Sequence, residues 1–378
     1  AWMDYLARSS ALLSMGENVA DVLVYYGEDT NATARYGLEP FQIPTGYNYD
    51  FINPSGLFEL KVMDGRLVAP SGASYAVLCK DTGHQPSSPE VEERLDELVR
   101  QGAVVCTKEQ LATTLTAVPA DIITDKDIRF VHRRVGETDV YWVNKPSSDY
   151  RTVMFDLRTS GLTPSVWNPV TGQMSAVSYQ TANGRTTVTF DMEPDDAQFI
   201  VFGKKGCGLA NAVNHQPWLH ADEWLKREAD RAWDITWSDT LRTTTDTLFS
   251  YPSSSVADVR YFAGTAVYRT TLSMDDVPAQ AFLDLGKVCD LAEVEVNGVN
   301  CGTLWKAPFA TSVADALRKG DNELTIRVTN VWVNRLIGDK QPDCLHPCTY
   351  TSAQFYSASS PLLPAGLLGP VVLYEKNN

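Results

Sequence analysis

Apolar and polar residues change rhythm three times along this chain. Val22-Leu-Val-Tyr-Tyr26 is a short unbroken apolar run, and Tyr75-Ala-Val-Leu-Cys79 and Ala103-Val-Val-Cys106 repeat it. Runs of this length read as strands buried on both faces. Between the second and third, Pro89–Arg100 sets Val91, Leu95, Leu98 and Val99 on one helical face. Ser88 is placed to cap that helix, Pro89 takes its first position and Gly102 lies just past its end. Strands alternating with helices predict a parallel sheet covered by helices, a small doubly wound α/β domain over 17–126. Ahead of it, Tyr5, Leu6, Leu12 and Leu13 form the apolar stripe of another helix that ends at Gly16.

From about Asp127 the period falls to two. Ser175–Gln180 and Arg185–Phe190 alternate on either side of Asn183-Gly184, a strong hairpin signal. The alternation puts Val177 and Tyr179 on a face with Val188 and Phe190, and Gln198–Phe202 closes a small β-sandwich over 127–204. Beyond a polar linker, Gly203–Gln216, Phe282–Leu285, Ala292–Val296 and Leu324–Val328 restart the pattern, with turns at Asn297-Gly298 and Arg318–Asn322. These predict a larger sandwich, a jelly roll, over 205–378. Val294, Val296, Leu324, Ile326 and Val328 supply its buried face, while Glu293, Glu295, Thr325 and Arg327 point outward. The strands present no row of outward aromatics for a sugar to lie on.

The composition, 44% hydrophobic and 21% charged, is that of a globular protein of two or three domains. Thirty-two Lys and Arg stand against 47 Asp and Glu, a net charge of −15. A field of that sign repels phosphate backbones and anionic lipid, which argues against nucleic-acid and membrane partners. No apolar stretch approaches the ~18–20 residues of a membrane helix. The 7 cysteines are odd in number and scattered, so they are no disulfide framework. Cys344 and Cys348 flank His346 as a metal half-site or a local disulfide, but no second ligand pair at zinc spacing accompanies them, and no metal is assigned.

Catalytic chemistry is hard to build from these residues. Cys79, with Asp81 and His84 nearby, superficially resembles a Cys/His nucleophile site. A nucleophile elbow needs small residues two before and two after, and here those are Val77 and Asp81. No Gly-x-Gly-x-x-Gly or phosphate-binding loop follows a strand, so no nucleotide cofactor is expected. Glycoside hydrolysis needs two carboxyls flanking a sugar ring. Glu28 and Asp29 at the end of the first strand, with Asp50, are the candidates in the α/β domain, but adjacent acids point apart and make no matched pair.

Two groups of motifs carry a resemblance. Tyr261–Leu272, Leu283–Val288, Ala292–Gly298, Gly302–Phe309, Gly320–Leu324, Val328–Asp339 and Pro364–Pro370 resemble, in order, the sugar-binding domain of family 2 glycoside hydrolases. Tyr5–Gly16 and Val19–Asp29, with Tyr47–Asn53, Ile128–Arg134 and Trp167–Gly172, are similar to family 106 glycoside hydrolases, the α-L-rhamnosidases. Together they cover nearly the whole chain.

The resemblance implies a multidomain α/β plus all-β protein: a flavodoxin-like, amidotransferase-like domain, a small β-sandwich, and a galactose-binding-like jelly roll. It implies that 1–16 is the last helix of a (β/α)8 barrel that is missing here. The catalytic acid and base and a calcium site belong to that barrel, so the fragment is expected to be inactive, with no catalytic residue, metal or cofactor of its own. The expected partner is a plant or bacterial glycan bound through a periplasmic or secreted parent enzyme; the oligomeric state stays open. Asn334, Arg335 and Trp305, within the matching motifs, are the expected substrate contacts, with Glu28 and Asp50 from the α/β domain. Asn297 is expected to form a turn and Trp332 to pack, and Asn300 is a further polar residue of the matching motifs. The alternative is a stand-alone carbohydrate-binding or assembly module.

Overall fold

The short apolar runs form a parallel sheet in the order Tyr49–Ile52, Val22–Tyr25, Val77–Lys80, Val104–Thr107. In the computed structural model, residues 1–28, 41–81, 87–203, 224–229 and 232–376 are described, and they fall into two units, 1–213 and 214–378.

Among the described residues of the first unit are four α-helices: α1 (Trp2–Ser14), α2 (Pro54–Glu59), α3 (Pro89–Arg100) and α4 (Lys108–Thr114). The parallel strands are unbroken apolar runs because both faces are covered. Leu23, Tyr25 and Leu78 pack with Val91, Leu95 and Leu98 of α3 on one face, and Val22, Val24, Val77 and Cys79 pack with Leu111 of α4 on the other. Helix α3 starts where its sequence says, with the Ser88 hydroxyl accepting from the Val91 N–H. Val99, expected on its apolar face, is instead 50% exposed at the rim. A three-stranded antiparallel sheet, Lys61–Met63, Arg66–Val68 and Ser74–Tyr75, follows α2 and lies outside the sequence expectation. Its first turn is Asp64-Gly65, both at positive φ.

The sandwich of this unit pairs a six-stranded sheet with a four-stranded one around Tyr141, Phe155, Ile200 and Phe202. It draws in two strands from the stretch read as α/β: Glu17–Asn18 pairs with Arg129–Val135, and Ile122–Ile123 with Arg151–Leu157. Strands of two residues carry no readable period. The Asn183-Gly184 turn has positive φ at both residues, and Tyr179 faces Val188 across it, yet Tyr179 is exposed because its strand is an edge. Helix α1 packs Leu12 and Leu13 on Val140, Phe199 and Val201, and Arg8 donates to the Pro169 and Val170 carbonyls. Leu6 lies outside this contact, so the buried stripe is shorter than expected.

The second unit has a six-stranded antiparallel sheet centred on Thr265–Met274 and Gly320–Thr329, and a four-stranded sheet of Leu225–Glu228, Val372–Lys376, Gln280–Asp284 and Ala310–Ser312. Val294, Val296, Leu324, Ile326 and Val328 are all buried in one core with Tyr268, Leu283 and Leu373. Burial of each such side chain stabilises by roughly 1.5–3 kcal/mol. Thr325, expected outward, is buried: it stands in register between Arg269 and Glu295, and these longer side chains flank the shortest member of the row. Two short helices, α5 (Ala257–Arg260) and α6 (Val333–Gly338), flank this sheet's loops.

Candidate functional site

Strand Gly320–Thr329 runs into Asn330, whose amide bonds the Phe262 carbonyl and the Gly264 N–H, and then into α6. Tight packing orients this helix. A Cβ on Gly338 would lie 2.6 Å from the Tyr261 side chain, so only glycine lets the two approach.

Behind α6 the chain makes a long excursion without helix or strand, from Asp339 to Ala365. Irregular segments of this length are usually functional. Side chains from α6 hold its shape. Asn334 Nδ2 donates to the Leu363 carbonyl and Oδ1 accepts from the Leu363 N–H, each at 2.8 Å. Arg335 lies 2.6 Å from the Asp339 carboxylate and donates to the His346 carbonyl. The other Asp339 oxygen accepts from the N–H of Cys348 at 2.8 Å and from the N–H and hydroxyl of Thr349, each at 2.7 Å. Burial alone would raise the Asp339 carboxyl, but these donors and Arg335 outweigh it and hold the group below the usual carboxylate range.

The pinned segment encloses an open cavity of about 260 Å³, lined by Asp339, Lys340, Tyr350, Gln354, Phe355 and Tyr356, among others. Tyr350 is 94% and Phe355 78% exposed.

The expected contact residues thus fall at different places. Asn334 is buried and Arg335 partly buried, both serving the excursion, while Trp305 is half-buried after the strand Val299–Leu304. Glu28 accepts from the Ser88 N–H at the start of α3. Asp50 accepts from Asn18 Nδ2 and from the Tyr75 hydroxyl. The two acids lie in the first unit, Asn334, Arg335 and Trp305 in the second. Asn297 forms its turn and bonds Asn322, and Asn300 accepts from Gly302 N–H. Trp332, expected to pack, is 55% exposed. Cys344 and Cys348 are free thiols, and among the described residues no three His, Cys, Asp or Glu side chains converge as a metal site. Asp29 and His84 lie outside the described residues.

Sequence reasoning missed the aromatic pair. The available signal was Tyr350, Phe355 and Tyr356 in a stretch of small polar residues with no hydrophobic period. It also missed a buried cluster in the first unit. His132 lies between Asp121 at 2.8 Å and Asp139 at 3.0 Å and stacks on Tyr141. Arg158 reaches from this cluster to Asp21, beside the parallel sheet. A polar cavity of about 310 Å³ adjoins it, but the guanidiniums on its wall, Arg66, Arg134 and Arg158, each pair with an Asp.

A parallel α/β layer, antiparallel sandwiches and an aromatic pocket define a multidomain, β-rich protein, and comparison places it among glycoside hydrolases. Residues 1–117 and 109–181 match the family described as α-L-rhamnosidase. A solved rhamnosidase from Novosphingobium sp. PP1Y is 32% identical with a TM-score of 0.75, covering 99% of this chain and 41% of that one. A curated protein of Formosa agariphila named "Putative beta-glucuronidase" is 22% identical, over all of this chain and 57% of its own length. The chain is thus similar to the α-L-rhamnosidase family of glycoside hydrolases, by the family match in its first half and by the likeness of nearly its whole length to a solved rhamnosidase. It spans about half the length of these relatives.

Proposed function

We propose that this chain is the ancillary, non-catalytic region of a glycoside hydrolase acting on rhamnose-containing glycans. The observation that carries the reading is the likeness of nearly the whole chain to less than half of a solved rhamnosidase. The state of the acids supports it. Hydrolysis needs two carboxyls roughly 5–10 Å apart, free to protonate the leaving oxygen and to attack or activate water. Among the described residues, Asp339 is the one carboxylate lining the α6 cavity, and it is already saturated by Thr349, Cys348 and Arg335. Asp50 is likewise engaged by Asn18 and Tyr75.

In this reading the parallel sheet, with its second strand beside the first, is a flavodoxin-like spacer, and the second unit is a galactose-binding-like jelly roll. Asn334 and Arg335 act on substrate through the excursion they shape. The test is hydrolysis of 4-nitrophenyl α-L-rhamnopyranoside by the purified chain. No nitrophenol release above the blank is expected. Turnover abolished by Asp50→Asn or Asp339→Asn would overturn the proposal.

A further inference from the structure

We infer that the cavity over α6 is a glycan-binding site in its own right, taking one sugar ring against Tyr350 and Phe355. The inference rests on the glycosidase reading above and names the ligand for this part of it.

Three observations converge. The first is exposure. Tyr350 and Phe355 line one cavity while 94% and 78% exposed, and Leu345 nearby in sequence is 85% exposed. Aromatic surface left in water around a concavity marks a binding place.

The second is rigidity. The excursion that displays these rings is held by Asn334, Arg335, Asp339 and Gln341, the last donating to the Ala358 carbonyl. A site ordered before the ligand arrives avoids much of the ordering cost of binding.

The third is the polar complement. The Asp339 carboxylate already has its donors, whereas Lys340 and Gln354 bring exposed amino and amide groups to the cavity. The available groups therefore favour hydroxyl oxygens, while the rings offer faces to C–H surface. A pyranose carries both, with its C–H face on one side and hydroxyls around the rim. A 6-deoxyhexose adds a methyl group to the apolar side. The volume of about 260 Å³ suits one such ring. A nucleic-acid strand is disfavoured by the chain's net charge of −15.

The test is saturation-transfer NMR and calorimetric titration of the chain with L-rhamnose and with an α-linked rhamnose disaccharide. Saturable binding is expected, weakened about tenfold or more by Tyr350→Ala or Phe355→Ala, a shift readable directly in Kd. Both side chains are exposed, so melting temperature should stay unchanged. Asp339→Asn should also weaken binding, with faster amide exchange at Cys348 and Thr349. No saturable binding, or binding indifferent to both aromatic substitutions, would overturn the inference. So would self-association lost in the same variants without sugar binding, which would make a second copy the occupant. Rhamnoside turnover by the chain would refute the non-catalytic reading and leave the titration standing; failed binding would do the reverse.

Discussion

Asn334 and Leu363 exchange two hydrogen bonds, 29 residues apart in sequence, and so fix where the chain returns after α6. An amide in the first turn of α6 thereby acts as a clasp on a distant backbone. The pair determines the base of the aromatic excursion.

Replacing Asn334 with Ala should destabilise the second unit by about 1–2 kcal/mol, because the part-buried N–H and C=O of Leu363 both lose their partner. Urea unfolding followed by tryptophan fluorescence measures this. An unchanged midpoint would contradict the clasp.

Gly338→Ala tests the approach of α6 to Tyr261. Helix propensity alone favours Ala over Gly by ~1 kcal/mol. The added Cβ would sit 2.6 Å from the Tyr261 side chain, and overpacking of that kind typically costs about 1–3 kcal/mol. The clash should decide the sign, so the melting temperature should fall; a rise would show that Tyr261 moves aside freely.

Stability should also depend on His132. Both ring nitrogens face carboxylates, at 2.8 and 3.0 Å, and only the imidazolium can donate from both. Burial favours the neutral ring, but hydrogen bonds to Asp121 and Asp139 outweigh it and raise the pKa above 6.5. A raised folded-state pKa means stability that is fully present below the ordinary histidine value and lost as pH rises through the folded one. Asp139 has the opposite sense: its carboxyl is lowered by His132 and Arg134 against the effect of burial, so its contribution is lost on acidification. Melting curves from about pH 6 to 9 should show an alkaline decline in the native chain that His132→Gln flattens. Parallel curves for the two would refute the assignment.

Cys79 should be chemically silent. Its thiol is buried beside Cys106 in the next parallel strand, and the hydrogen bond with Cys106 together with burial pushes it well above an ordinary thiol. Among the six cysteines in the described residues, iodoacetamide should label the exposed Cys348 first and reach Cys79 only in denaturant, as peptide mapping would reveal. Rapid labelling of Cys79 in the folded chain would contradict this.

The residue pattern by itself determined the strands Val22–Tyr25, Val77–Lys80 and Val104–Thr107, the helix from Ser88, the hairpins at Asn183-Gly184 and Asn297-Gly298, and the buried face of Val294, Val296, Leu324, Ile326 and Val328. Each of these follows from a local period or from a turn residue that tolerates positive φ, and both are written within a few neighbouring positions. Tertiary structure alone decided that Asn334 clasps Leu363, that Asp339 gathers Cys348 and Thr349, and that His132 sits between two carboxylates. It also left Tyr350 and Phe355 in water around a cavity and covered Thr325 between its longer neighbours. Such pairings depend on where a segment without period comes back to the fold. That return is set by the closing of sheets far away in sequence, so no local pattern records it.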